Sequence, residues 1–408
     1  LLATYEVSFG GRELDLFDKC TSFTRANQAR EEGWYPYFKE IQSGAGAEVM
    51  VDGKKMIMIG SNNYLGLTQH PRVVETAGNA LKKYGSGCTG SRFLNGTLDI
   101  HTQLEHRLAN FMQTEDALCF STGFQTNLGT VSTIIGKSDT IFADRGNHAS
   151  LVDGSRLAIG RYLKYRHNDM EDLDRLLKNN NNNGGKLIAT DGVFSMEGDI
   201  VDLPAILQIT KKHNARVMVD DAHSIGVLGK NGRGTADHFN ISQDEVDIVM
   251  GTFSKSFASL GGFIAGKHYV IDYIKHHSRP FIFSASMPPA AVAAVIAAID
   301  IIETEPEHLR KLWQNVDKMK KAFDDMGFNT GCSQTPIIPI HIGDDMATFN
   351  FWKALFENGI FTNPSITPAV PPGHGIIRTS YMATHTDDIL DRVLETFQKL
   401  GKQFNLIP

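Results

Sequence analysis

The residue types able to do chemistry gather at strand ends in this sequence, and one lysine stands out among them. In Asp247-Ile-Val-Met-Gly-Thr-Phe-Ser-Lys255 the apolar run Ile248 to Met250 reads as a short buried strand that Gly251 ends. Thr252 and Ser254 then offer hydroxyls to an anion, and Lys255 offers an amine that can form a Schiff base with a carbonyl compound. A lysine just past a strand is otherwise a solvated loop charge. A second strand end, Arg216-Val-Met-Val-Asp-Asp-Ala-His223, runs from apolar residues into two acids and a histidine. A buried carboxylate such as Asp220 stabilises a cationic partner, the state in which a pyridine ring accepts electrons, and His223 can reach an oxygen on such a ring. The alternative is that Asp220 or Asp221 caps a turn with His223 packed beneath it.

Lysine and acid together favour pyridoxal phosphate, and three further segments supply what it needs. Ala117-Leu-Cys-Phe120 leads into Ser121-Thr-Gly-Phe-Gln-Thr-Asn127, a strand, turn and helix start whose amides and hydroxyls suit a phosphate, or simply cap the helix. Asp144-Arg-Gly-Asn-His-Ala-Ser150 puts His148 in a loop beyond a strand, where an imidazole can stack on a ring or point to solvent. Arg378 lies on the predicted strand Ile376 to Ser380, and its planar fork suits a carboxylate or a surface ion pair.

In chain order, Ser61-Asn-Asn-Tyr-Leu-Gly66, Ser121-Thr-Gly-Phe124, Asn147-His148, Asp191-Gly-Val-Phe-Ser-Met-Glu-Gly198, Asp220-Asp-Ala-His223, Thr252-Phe-Ser-Lys255 and Arg378-Thr-Ser-Tyr resemble the α-oxoamine synthase family of pyridoxal-phosphate enzymes. The resemblance covers nearly the whole chain. It implies an α/β, fold-type I transferase, a homodimer with its sites near the subunit interface. Lys255 would hold the cofactor and move the substrate's α-proton, Asp220 would keep the ring nitrogen protonated, and His148 and His223 would flank the ring. Thr122, Gly123, Phe124, Ser195, Thr252 and Ser254 would complete the cofactor site, with Ser284 reaching the phosphate across the dimer. Asn63, His148 and Arg378 would surround the substrate carboxylate. Within the family, Ser86-Gly-Cys-Thr-Gly-Ser-Arg-Phe-Leu-Asn-Gly-Thr97 is most similar to the bacterial branch that condenses L-serine with palmitoyl-CoA, giving 3-ketosphinganine, CoA and CO2 in the first step of sphingolipid synthesis. Sister branches use glycine or alanine: 2-amino-3-ketobutyrate CoA ligase, 5-aminolevulinate synthase and 8-amino-7-oxononanoate synthase. A non-catalytic partner subunit could dispense with its lysine, whereas here Lys255, Asp220, His223 and His148 are all present.

These residues need a scaffold, and the pattern from about residue 115 to 255 supplies one: strand, polar loop, helix, repeated. That order argues for a mostly parallel sheet with ligands at its strand ends. The expected organisation is an N-terminal arm and hairpin over 1–60, a large cofactor-binding domain over 61–288 and a smaller C-terminal α/β domain over 289–408. The arm carries Trp34-Tyr-Pro-Tyr-Phe38, and Asp52-Gly53 turns the hairpin. Two motifs mislead. Gly85-Ser-Gly-Cys-Thr-Gly90 imitates a dinucleotide fingerprint but follows a helical segment, and Gly261 to Lys267 imitates a P-loop but ends on His268 instead of Ser or Thr. On the helix predicted from Asp99 to Phe111, His101 and His106 read as surface residues, and no metal site is expected.

The 408 residues carry a net charge of −6, which disfavours nucleic acid as a partner. Four cysteines without a C-x-x-C pair fit a reducing cytoplasm better than a disulfide framework. The apolar tract Ala290 to Ile299 falls short of the roughly 20 residues that span a bilayer. Peripheral contact with the inner membrane is compatible with this composition, and no signal peptide is visible.

Overall fold

A computed structural model describes residues 15–367 and 369–408; the first part of the expected arm, residues 1–14, lies outside the described residues. Among the described residues the largest sheet has seven strands, in the spatial order Asp116–Phe120, Gly262–Gly266, Ile248–Thr252, Arg216–Asp220, Lys186–Asp191, Thr140–Asp144, Arg161–Tyr165. Every pairing is parallel except the two made by Gly262–Gly266. Beyond a first residue that is exposed or partly exposed in Lys186–Asp191 and Arg216–Asp220, the central strands are buried, as expected where helices cover both faces. One face packs against helices Pro71–Tyr84, Asp99–Met112 and Pro289–Thr304, and the other against Gly123–Ile134.

The strand before Lys255 continues through Gly251 to Thr252, so the glycine does not end it. A Cβ on Gly251 would lie 2.3 Å from the Phe263 ring; the glycine is there because the neighbouring strand's phenylalanine occupies its side-chain space. The imitation P-loop is that neighbouring strand, buried throughout, and the imitation dinucleotide fingerprint is a loop after helix Pro71–Tyr84.

Toward the C-terminus, Ile337–Gly343, Gly375–Ser380 and Asn363–Ser365 form an antiparallel sheet, covered by helices Glu307–Met326, Asp345–Glu357 and Asp387–Gln403 around Phe323, Phe351 and Phe397. Hairpin strands Glu48–Val51 and Lys54–Met58 turn at Asp52 and Gly53, both at positive φ, and the second strand pairs with Ile360–Phe361. Helix Pro289–Thr304 packs into the core of the large sheet, chiefly on helix Pro71–Tyr84. Among the described residues the arm forms two short helices, Asp18–Thr21 and Arg25–Glu31, and Trp34 packs on Phe349 of the C-terminal part.

Candidate active site

The C-terminal ends of the parallel strands open into a cavity of about 250 Å³, lined among others by Thr122, Gly123, Phe124, His148, Asp220, His223, Thr252, Ser254 and Lys255. Nine sequence-predicted residues from four segments therefore share one space. Parallel strands bring this about: each hands its following loop to the same edge of the sheet.

Lys255 sits in the loop between two antiparallel strands whose ends, Thr252 and Gly262, are paired. It is half-buried, and desolvation lowers its ammonium pKa to about 7, against an opposing pull from Asp220. Its partner across the cavity, Asp220, is buried and held at both oxygens. Asn127 Nδ2 donates to Oδ2 at 2.6 Å and the Ala222 amide donates to Oδ1 at 3.0 Å. The same Asn127 Nδ2 donates to Ser150 Oγ at 2.9 Å, while Asn127 Oδ1 is buried without a partner. Burial, and then Asp220 beside it, push the Asp191 carboxyl well above the usual carboxylate range. Asp221 points away: it accepts hydrogen bonds from the amide and hydroxyl of Thr235, which makes it the turn-holding member of the acidic pair.

His148 precedes helix Ala149–Leu157 and is exposed to the open cavity. Its Nδ1 accepts from the Ser150 amide at 3.3 Å, and desolvation lowers its pKa, with Asp220 opposing. A neutral ring therefore carries its proton on Nε2. His223 is buried, and desolvation, followed by the charge of Lys255, lowers its pKa well below the ordinary value. Tyr64, pushed up to about 12 by burial, keeps its hydroxyl proton and shares a 2.7 Å hydrogen bond with His223 Nδ1.

At the phosphate-friendly end, Thr122 caps helix Gly123–Ile134 by accepting from the Gln125 amide at 3.1 Å. Helix geometry leaves the Gly123 and Phe124 amides as unused donors at the positive end of the dipole. Thr252 Oγ1 lies 3.0 Å from Ser254 Oγ and donates to the Gly261 carbonyl. A Cβ at Gly123 would meet Thr252 Oγ1 at 2.7 Å, so only glycine lets the helix start settle on the strand end.

The remaining sequence-predicted residues lie outside the cavity wall. Arg378 is buried rather than in a surface ion pair; Nε donates to the Ser195 carbonyl at 2.6 Å and an Nη to Asn62 Oδ1 at 2.9 Å. Asn63 is turned to the backbone: its Nδ2 donates to the Ala45 carbonyl and to Thr68 Oγ1. Ser284 lines a separate small cleft with Arg92, His101 and Ser121, and accepts from Gln125 Nε2 at 3.1 Å. His101 is buried, contrary to the surface position expected from its helix. It sits under Met287, bonded to that carbonyl at 3.0 Å, whereas His106 is exposed. The sequence motifs contain Tyr64, Asn127, Ser150 and Asp191, but sequence reasoning gave them no role. Asn127 and Ser150 each close a quoted segment, and nothing in their types points to Asp220.

Residues 54–397 match the family described as aminotransferase class I and II. The chain belongs to that family. Among curated members it is 50% identical to the serine palmitoyltransferase of Sphingobacterium spiritivorum over 95% of this chain and 97% of the relative. It is 51% identical to that of Bacteriovorax stolpii over 96% and 93%. The 8-amino-7-oxononanoate synthase of Treponema denticola is 44% identical over 94% and 97%. A serine palmitoyltransferase structure from S. paucimobilis, solved with bound PLP, superposes with a TM-score of 0.92 at 35% identity, covering 97% of this chain and 100% of that one. The α/β architecture expected from the sequence is therefore that of this family's PLP-dependent, fold-type I members.

Proposed function

We propose that this chain binds pyridoxal phosphate and condenses L-serine with palmitoyl-CoA, releasing CoA and CO2 and giving 3-ketosphinganine. The observation that carries the reading is near-full-length identity of about half to two serine palmitoyltransferases, joined to a cavity whose residues suit that cofactor. The fit rests on this chain's own groups. There is a lysine amine of lowered pKa, a buried carboxylate held by two donors, and a helix N-terminus closed so tightly on Thr252 that a Cβ would not fit.

When bound, the cofactor supplies an electron sink for the bonds at the substrate's α-carbon. Lys255 would hold it covalently and, once displaced by the amino acid, act as the base that takes the α-proton; an amine with a pKa of about 7 suits both tasks. Asp220 would keep the ring nitrogen protonated, His223 would present Nε2–H to the ring's phenolic oxygen, and His148 would lie against the ring. The Gly123 and Phe124 amides with Thr122, Thr252 and Ser254 would hold the phosphate. Arg378, released from the Ser195 carbonyl, would grip the substrate carboxylate together with His148 and Asn63. That grip would fix the substrate's orientation at its α-carbon so that Lys255 removes the proton before the carboxylate departs.

The chain would act as a homodimer in the cytoplasm, organised as an arm and hairpin (1–60), a cofactor-binding part (61–288) and a C-terminal part (289–408). Support for the dimer comes from Phe93, Leu94 and Phe283, large apolar side chains left exposed on two segments bridged at Ser91 and Ala285. Ser284 sits on the same stretch and would reach the partner's phosphate. No described helix is long and apolar enough to cross a membrane.

The deciding assay follows CoA release from palmitoyl-CoA with L-serine, glycine and L-alanine in turn. Release with L-serine alone supports the proposal. Preference for alanine with pimeloyl-CoA, or for glycine with a short acyl-CoA, would move the chain to a sister activity.

A further inference from the structure

Three helices meet at a point the proposed reaction does not use. His70 immediately precedes helix Pro71–Tyr84, Glu305 immediately follows helix Pro289–Thr304, and His308 is the second residue of helix Glu307–Met326. Their donor atoms all lie within 4.8 Å of one another, and all three side chains are partly buried. His70 Nε2 is 3.7 Å and His308 Nε2 3.4 Å from the same carboxylate oxygen, Glu305 Oε2. Both separations exceed the about 2.9–3.0 Å of a good N–H···O bond. They approach the roughly 3.3–3.5 Å between neighbouring ligands of a tetrahedral ion bound at about 2.0–2.1 Å. The other carboxylate oxygen is held by Arg72 at 3.1 Å, which fixes the carboxylate's direction and keeps Oε2 facing the two imidazoles. His70 Nδ1 is buried without a partner, so no hydrogen bond from that side accounts for the ring's position.

We propose that His70, Glu305 and His308 form a binding site for a borderline divalent cation of the zinc class, with solvent as fourth ligand. Two imidazoles and one carboxylate are a donor set that suits zinc, cobalt, nickel or copper far better than magnesium or calcium. Closing on the ion requires the imidazoles to move by roughly 1 Å, a side-chain adjustment. Bound there, the ion would clamp the turn that follows Asn62 and Tyr64 to the junction of helices Pro289–Thr304 and Glu307–Met326. It is a structural or regulatory clamp, distant in chemistry from the lysine cavity, and does not depend on which amino acid the enzyme uses.

The test uses the full-length, cofactor-loaded protein without a histidine tag, freed of metal by a chelator and titrated with Co2+ and with Zn2+. The expected result is one tetrahedral Co2+ spectrum per chain, displaced by Zn2+, with a Zn2+-dependent rise in melting temperature. His308→Gln and, separately, Glu305→Gln should weaken binding at least about tenfold and remove the thermal shift while the cofactor's absorption is unchanged. Absence of the tetrahedral spectrum in the unsubstituted protein would overturn the site. So would equal binding by the His308→Gln and Glu305→Gln proteins, since the ion would then be held elsewhere.

Discussion

At the scale of single residues, Lys255 and Asp220 set opposite demands on one cavity, and each makes a measurable prediction. An amine with a pKa near 7 is mostly unprotonated above neutrality, unlike an ordinary lysine near 10.5. Because only the free amine attacks a carbonyl, the rate of cofactor capture by the cofactor-free protein should rise with pH up to about 7 and then level off. Stopped-flow loading across pH 5 to 10, each value about one unit apart, reads this directly; a rate still climbing above pH 9, roughly two units past that pKa, would contradict the lowered pKa. Asp220 accepts from two donors, Asn127 Nδ2 and the Ala222 amide. In Asp220→Asn the new amide must set its NH2 against one of them in either orientation. The expected cost is about 1–3 kcal/mol in urea unfolding. Cofactor is retained, and exchange of the serine α-proton followed by NMR falls steeply because the ring nitrogen loses its counter-ion. Wild-type exchange in a folded, loaded variant would remove Asp220 from that role. The residues legible in the sequence were those whose chemistry is unusual for their place: a lysine, acids and histidines just beyond apolar strands. Asn127, which holds Asp220 across 93 positions of chain, has no such mark. Neither has Tyr64, whose phenol bonds His223 Nδ1 at 2.7 Å.

At the scale of elements, periodicity located the strands and helices because burial on a parallel sheet leaves continuous apolar runs, and caps mark the helix ends. Helix Asp99–Met112 and strand Gly375–Ser380 fall where the sequence put them, to within a residue at either end. What the pattern could not reveal was pairing. Helix Asp99–Met112 looked amphipathic with His101 outside, yet a loop from far along the chain lies over it and buries that histidine under Met287. The same overlay buries an ion pair: Arg92 meets Glu105 through two parallel bonds of 2.7 and 2.8 Å, and Glu105 also accepts from the Cys119 amide. The glycine-rich loop is thereby fastened to a helix and an edge strand. Arg92→Ala leaves the carboxylate buried and unpaired, so stability should fall by about 3–5 kcal/mol. Arg92→Met with Glu105→Leu, which removes both charges, should recover most of it. Unfolding of the two variants by urea, followed by circular dichroism, separates these outcomes; equal losses would mean that the loop is fastened by packing instead.

At the scale of the whole molecule, the sheet order explains why so many distant segments serve one cavity, and the exposed Phe93, Leu94 and Phe283 are the apolar surface on which the proposed dimer is tested. Light scattering on the loaded protein should give a species of twice the chain mass. Phe283→Asp should shift it toward the single chain and lower cofactor retention, because Ser284 would no longer be delivered to a neighbour. An unshifted mass with unchanged retention would place the contact elsewhere. The arm's aromatic run is visible in the sequence, but the partner of Trp34 is not: Phe349 lies more than three hundred positions away.

The pairing of Thr252 with Gly262 gives the lysine loop a different history from the rest of its cavity. Two antiparallel strands joined by that loop close through contacts near in sequence, and such a unit forms quickly. The strands ending at Asp144, Asp191 and Asp220 pair in parallel, so each junction must wait for a crossover helix and a long chain closure. During refolding from urea the lysine should therefore be in position before the acid and the histidines that make it useful. Cofactor added at time zero would first meet a hairpin with an amine and nothing to hold the ring. Its stable capture, read by absorbance, should lag behind the return of strand signal, and so times the closing of the sheet's last parallel seam.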